Sequence, residues 1–219
     1  MRIWLTLSPN QEIVPFNYQQ SLVGAFHKWL GENELHDDIS LYSLSWLEGA
    51  HYRRDGFDFP NGAGFFISSP LKELNQKVIQ GIFEGQHINW GMNVKEVTIQ
   101  VTPDFGNRYR FVVQSPVFIQ RRIEGSKHPQ YFFPPDPEAN GCLTETLKNK
   151  LRRFGLPSDV AVAFDPQYNK VCYKKVRFNQ LDLRAAFCPV IVQGDERAVQ
   201  FAWEVGVGNS TGIGFGALR

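Results

Sequence analysis

The residues of this chain that can do chemistry are few and unevenly placed. Five histidines stand at positions 27, 36, 51, 87 and 128. An imidazole with an ordinary pKa of about 6.5 gives or takes a proton at neutral pH. The three cysteines, Cys142, Cys172 and Cys188, are odd in number and widely spaced, which matches no zinc-ligand pattern and fits a reducing cytosol. Basic residues gather in the second half. Residues 1–106 hold 7 Lys and Arg against 12 Asp and Glu, whereas residues 107–219 hold 16 against 10. That asymmetry suits a half that faces a polyanion, or else a merely solvated basic surface. Within it, Lys148, Lys150, Arg152 and Arg153 share one helical stretch, with 148 and 152 on a common face. Lys170, Lys174, Lys175 and Arg177 lie beside Tyr168, Tyr173 and Phe178, and strand alternation puts Tyr173, Lys175 and Arg177 on one side. The last such feature is the terminal run, where Gly206, Gly208, Gly212, Gly214 and Gly216 interleave with Val207, Ile213 and Phe215. Glycine tolerates positive φ and close backbone approach. The run therefore reads as a tight loop leading into an extended strand, its amides free to face a phosphate and its apolar side chains anchored behind. A frayed tail is the alternative, and the three buried-type residues speak against it.

The elements that must position these residues follow from periodicity. The chain is 42% hydrophobic and 21% charged, ordinary for a folded domain, with no apolar run long enough to span a membrane and no signal-peptide core at its start. Residues 2–8 alternate as a strand. Residues 18–30 carry Leu22, Val23, Phe26, Trp29 and Leu30 at helical spacing, with Gly31 placed as a C-cap. Strands are expected at 39–47, 64–68 and 94–101, a helix from 69 to 83, and an exposed hairpin or loop at 48–61. This order is β-α-β-β-α-β, the ferredoxin-like motif. After a boundary at 103–107 the pattern begins anew. Strands are expected at 109–113, 117–123, 160–164, 170–178 and 183–192, with a short aromatic stretch at 130–133, one helix ending at Gly155 and another capped by Asp195. The expected fold class is therefore α+β, two tandem ferredoxin-like units over 1–104 and 107–219.

Several of these residues carry a resemblance. Val192-Gln193-Gly194-Asp195, a helix ending Trp203-Glu204-Val205, and then Gly206-Val207-Gly208 through Gly212-Ile213-Gly214-Phe215-Gly216 resemble the C-terminal signature of the CRISPR repeat-processing endoribonucleases, within the repeat-associated mysterious protein superfamily. Val14-Pro15-Phe16-Asn17-Tyr18, leading into a helix with Gly24-Ala25-Phe26, is similar to that family's first strand-to-helix junction. The resemblance covers essentially the whole chain. It implies cleavage of precursor CRISPR RNA within each repeat, without metal or cofactor, in the cytoplasm. The 2′-hydroxyl attacks the scissile phosphate, leaving a 2′,3′-cyclic phosphate and a 5′-hydroxyl. That reaction needs a base, an acid, and donors or positive charge near the phosphate.

The resemblance also implies roles for particular residues. His36 occupies the region of the family's general acid/base histidine, and His27 matches a helix position where many relatives have a tyrosine. A solvated surface histidine beside Asp37 and Asp38, and an amphipathic boundary residue, are the plainer readings. Many relatives carry a lysine shortly after the histidine; the comparable position here is near Ser40, so Arg53 or Arg54 is expected to supply charge, unless the two simply form a solvated hairpin tip. His51 is a reserve acid. Lys175 and Arg177 are the preferred RNA contacts, with Lys148 and Arg152 on the helix. Gly206, Gly208, Ser210, Thr211, Gly212, Gly214 and Gly216 form the expected RNA-positioning loop. The implied partners are CRISPR repeat RNA and a multi-subunit interference complex, with no membrane and with pairing of two chains left open. The competing readings are a non-catalytic repeat-RNA-binding subunit of an effector complex and a generic ferredoxin-like binding domain.

Overall fold

A computed structural model describes the chain except for residues 33–38, 123–124 and 126–127. The first sheet is antiparallel, in the order β2 (Ser43–Leu44), β5 (Gly64–Ser68), β1 (Arg2–Leu7), β6 (Val94–Gln100). Helices α1 (Gln19–Leu30) and α2 (Lys72–Glu84) pack on each other and cover one of its faces. Alternation explains the arrangement: Ile3, Leu5 and Leu7 point into this core together with Phe26, Trp29, Val78 and Ile82. Gly31 closes α1 at φ 68°. The segment expected as an exposed hairpin is one, with β3 (His51–Tyr52) pairing with β4 (Phe57–Asp58).

The second sheet runs β10 (Val160–Phe164), β13 (Val190–Gly194), β7 (Arg108–Phe111). The C-terminus extends it: the Arg219 amide donates to Val112 O at 2.7 Å and the Gln114 amide to Ala217 O at 2.8 Å. Helices α3 (Ala139–Phe154) and α4 (Glu196–Val205) complete the unit. Gly155 ends α3 in the left-handed region, and the Asp195 carboxylate caps α4 by accepting from the Arg197 amide. Once the inserted hairpins are set aside, both units have the strand order of the ferredoxin-like motif.

Three expectations need correction. The stretch 183–192 is not one strand, and 170–178 is not in the sheet. Instead β11 (Cys172–Phe178) and β12 (Leu181–Phe187) pair with each other as a long hairpin, touched by an isolated bridge from Val117 to Ala186, and the chain leaves it at Pro189, which has no amide to continue a ladder. Among the described residues of 117–123, β8 (Gln120–Arg121) is the one strand, paired with β9 (Gln130–Tyr131). The terminal glycine run forms no extended strand at its centre. Left-handed residues at Gly208, Ser210, Gly214 and Gly216 coil it around a short 3-10 turn, Thr211–Ile213, and pairing resumes only at 217–219.

The two units are tied by buried polar groups. The Arg2 guanidinium lies 3.6 Å from the ring centroids of both Phe66 and Trp203, and Nη2 donates to the carbonyls of Trp203 and Leu218. Such a desolvated cation–π sandwich is worth about 2 kcal/mol or more. The N-terminal ammonium pairs with Glu204, and the Ser43 hydroxyl donates to Glu204 O at 3.1 Å.

Candidate active site

The glycine run lies in the seam between the units, and its composition explains how it fits there. A Cβ on Gly216 would collide with Val207 O, and one on Gly212 would stand 2.6 Å from Ser40 Oγ. Val207 and Phe215 are buried, as an anchored loop requires, with Phe215 packed on Phe118 and the inner face of the β11–β12 hairpin. Between Gly206 and Leu218 the exposed residue is Ser210. Several amides of the run are committed within the protein: Val207 donates to Gly216 O, Asn209 to Phe118 O, and Gly216 to Pro116 O. The glycines thus shape the loop, while Asn209 and Ser210 present it to solvent.

A cleft of about 430 Å³ opens beside this loop. One wall is Ile39 and Ser40, the first residues after the segment 33–38. The other walls are Arg121 on β8, Glu145, Thr146, Asn149 and Lys150 on α3, and Gly208 to Thr211. Behind it runs a buried chain of hydrogen bonds. Lys150 Nζ donates to Val205 O at 2.9 Å and to Thr211 Oγ1 at 2.8 Å, and Thr211 Oγ1 donates to Tyr42 O at 2.8 Å. Burial pushes the Lys150 pKa down to about 7. Burial likewise pushes the Tyr42 phenol up, partly offset by its hydrogen bond with Ser40. Helix α1 touches the 3-10 turn, and its Phe26 ring lies 4.9 Å from that of Tyr42.

On the other side of the seam is a groove of about 490 Å³, lined by Phe16, Trp46, Tyr52, Phe57 and Phe187 with Lys174 and Lys175. Trp46 divides it from the glycine run, its Nε1 donating to Gly214 O at 2.7 Å.

The expected site residues are distributed over these features. His36 lies outside the described residues, three positions before Ile39 of the cleft wall. His27 is half-buried in the last turn of α1, the helix beside the 3-10 turn. Arg53 and Arg54 sit at the β3–β4 hairpin tip and do not line the cleft; Arg53 is paired with Asp58 at 2.7 Å, which holds that carboxyl below its usual range. His51 is exposed on β3. Lys175 borders the aromatic groove, 3.2 Å from Asp182, and Arg177 is exposed on the same face of β11. Arg152 reaches Glu145 and Asn149 at the cleft rim, whereas Lys148 is half-buried and lies outside the lining.

Sequence reasoning missed Arg121, and it placed Lys150 only within the basic cluster of the helix. Leu143, Leu147, Lys150 and Leu151 fall at helical spacing on one face, so the pattern itself places a lysine in the apolar stripe. Arg121 carries no comparable periodic signal, because its strand is only two residues long.

Comparison with known proteins fits this geometry. Residues 99–219, more than half of the chain, match the family model described as CRISPR associated protein Cas6, C-terminal. The chain is 24% identical to CRISPR-associated endoribonuclease Cas6 1 of Methanocaldococcus jannaschii, over 100% of this chain and 92% of that protein. The structure of a Cas6-related gene product from Pyrococcus furiosus has a TM-score of 0.87 at 20% identity, covering 100% of this chain and 97% of that one. An RAMP protein described as binding different RNA substrates gives 0.87 at 18% identity, covering 100% and 98%. At these identities the structural likenesses show the fold, tandem ferredoxin-like units.

Proposed function

The chain belongs to the Cas6 family of CRISPR-associated proteins, and from that premise we propose that it is an endoribonuclease cutting precursor CRISPR RNA within the repeat. The observation that carries this reading is the cleft in which the residues following 33–38 meet the coiled glycine run. Acid/base chemistry there requires no group beyond side chains and the RNA itself. A base removes the 2′-hydroxyl proton, O2′ forms a bond to phosphorus, the bond to O5′ breaks, and an acid protonates O5′. The products are a 2′,3′-cyclic phosphate and a 5′-hydroxyl. RNA suits the step because only RNA carries the internal nucleophile. His36, in the segment leading into Ser40, is the principal acid/base residue, and His27 on α1 is the second.

The glycine run and Ser210 position the backbone. The aromatic groove with Lys174 and Lys175 suits unpaired bases, since stacking on aromatic rings is tolerant of sequence and a nearby ammonium attracts the backbone.

The test is cleavage of repeat RNA in EDTA with end-group analysis. The expected products carry a cyclic phosphate, and a single 2′-deoxy substitution at the scissile nucleotide abolishes cutting while leaving binding. Cleavage that survives the 2′-deoxy substitution contradicts the mechanism. Tight repeat-RNA binding with no cleavage under any condition would favour the non-catalytic subunit instead.

A further inference from the structure

Among the described residues, the cleft holds an arginine with no carboxylate partner. Arg121 is half-buried, and each of its bonds runs to a neutral acceptor. Nη1 donates to Gln120 O at 2.9 Å and to Asn209 Oδ1 at 3.0 Å; Nη2 donates to Cys142 O and to Thr146 Oγ1, both at 2.6 Å. Among the described residues no carboxylate pairs with Arg121 or Lys150, and Glu145, the acid in the lining, is taken by Arg152 at 3.0 Å. The guanidinium is fixed by β8, α3 and the glycine run at once, so its orientation is set before any ligand arrives. Exposed Ser210 and the Ser40 hydroxyl stand on neighbouring walls of the same hollow.

We propose that Arg121, with the hydroxyls of Ser210 and Ser40, forms a binding site for one phosphate of the RNA backbone. This rests on the reading of the cleft as an RNA site and names the cation that Arg53 and Arg54, at a distant hairpin tip, do not supply there. Four of the five guanidinium N–H groups hold neutral protein acceptors, which leaves the preoriented positive charge and the Nε–H for a phosphodiester oxygen beside the hydroxyl donors; a hydrogen bond assisted by charge on both partners is roughly twice as strong as a neutral one. Lys150, buried behind Thr211, adds positive potential when protonated.

The test is the salt dependence of repeat-RNA binding by the full chain. Each phosphate contact on a single strand contributes about 0.7 to the slope of log affinity against log salt. Wild type shows a falling affinity with salt, R121K keeps that slope, and R121Q lowers it by about 0.7. If Arg121 merely braces β8 against α3, both variants lose thermal stability and neither changes the slope, which overturns the proposal. A second pair avoids any folding defect. Ser210 is exposed at φ 59°, a conformation that Asn and Asp adopt readily. S210D is expected to bind RNA at least about tenfold more weakly than S210N, from like-charge repulsion; equal affinities overturn the proposal even if R121Q does not fold. Wild type with no salt-dependent RNA affinity at all would bring down the RNA reading itself, and this site with it.

Discussion

Two hollows flank the seam between the ferredoxin-like units, and one segment contributes to both although their chemistry is opposite. Residues 39–47 contribute Ser40 to one and Trp46 to the other, and the glycine run passes between them. The cleft is lined with Arg121, Lys150, Asn149, Glu145 and Ser210, and its floor is a buried lysine held by two oxygens. The groove is lined with Phe16, Trp46, Tyr52, Phe57 and Phe187, with lysines at its edge. A charged, hydroxyl-bearing hollow suits phosphate and proton transfer; an aromatic one suits bases. One strand of RNA crossing the seam would then be read for stacking on one side and cut on the other.

The comparison breaks most severely if the partition itself is removed. G216V places a side chain against Val207 O, and at φ 61° a β-branched residue is strained as well. It is expected to cost about 4 kcal/mol or more, seen as a large drop in the urea midpoint. Retained wild-type stability would show that the run is not wedged as described.

A milder test acts on the groove alone. Y52A is expected to weaken repeat-RNA binding by about 1–3 kcal/mol, a typical stacking contribution, while the cleavage rate of saturated RNA stays within a few-fold of wild type. If Y52A slowed cutting at saturation and left affinity intact, the two hollows would not divide the work in this way.

The cleft is sharpened by pH. In the unfolded chain Lys150 titrates at its ordinary value, whereas in the fold burial holds it at about 7. Between these values the unfolded chain binds the extra proton, so the lysine's contribution to stability falls as pH drops towards 7 and is largest in alkali. K150M removes two donors at a cost of about 1–3 kcal/mol, and its penalty should be greater at pH 9.5 than at pH 7 by urea unfolding. An equal or larger penalty at pH 7 would show that the amine is not held neutral.

The smallest effect belongs to the hairpin tip. Arg53 is exposed and engaged with Asp58, so R53A should change cleavage by less than about threefold. A larger loss would draw this hairpin into the cutting site.

How much of this was legible beforehand depends on how local each signal is. Ile3, Leu5 and Leu7, the Gly31 and Gly155 stops and the Asp195 cap announce their elements through neighbours a few residues away, and each formed as expected. The β11–β12 hairpin was misread because Pro189 sits inside a stretch, 183–192, that is apolar but for Arg184, and tertiary pairing shows the chain changing sheets there. Lys150 was taken for a surface residue although its spacing from Leu143 and Leu147 gave it away. Arg121 could not be found from spacing at all, since Asn209, Cys142 and Thr146 come to it from remote parts of the chain. The coiling of the glycine run was hidden for a related reason. Glycine is needed at left-handed Gly216 and Gly208 beside the oxygens of Val207 and Phe118, and at Gly212 beside Ser40, all of which fold against the run.

The proposed function rests on RNA cleavage with His36 as the acid/base residue. The most direct measurement is single-turnover cleavage of repeat RNA in EDTA by wild type and H36A, with RNA affinity measured in parallel. Loss of an acid/base residue should slow cleavage by about 10²- to 10⁴-fold while affinity changes by less than about threefold. Unchanged cleavage by H36A, or a loss explained wholly by failure to bind, would contradict it.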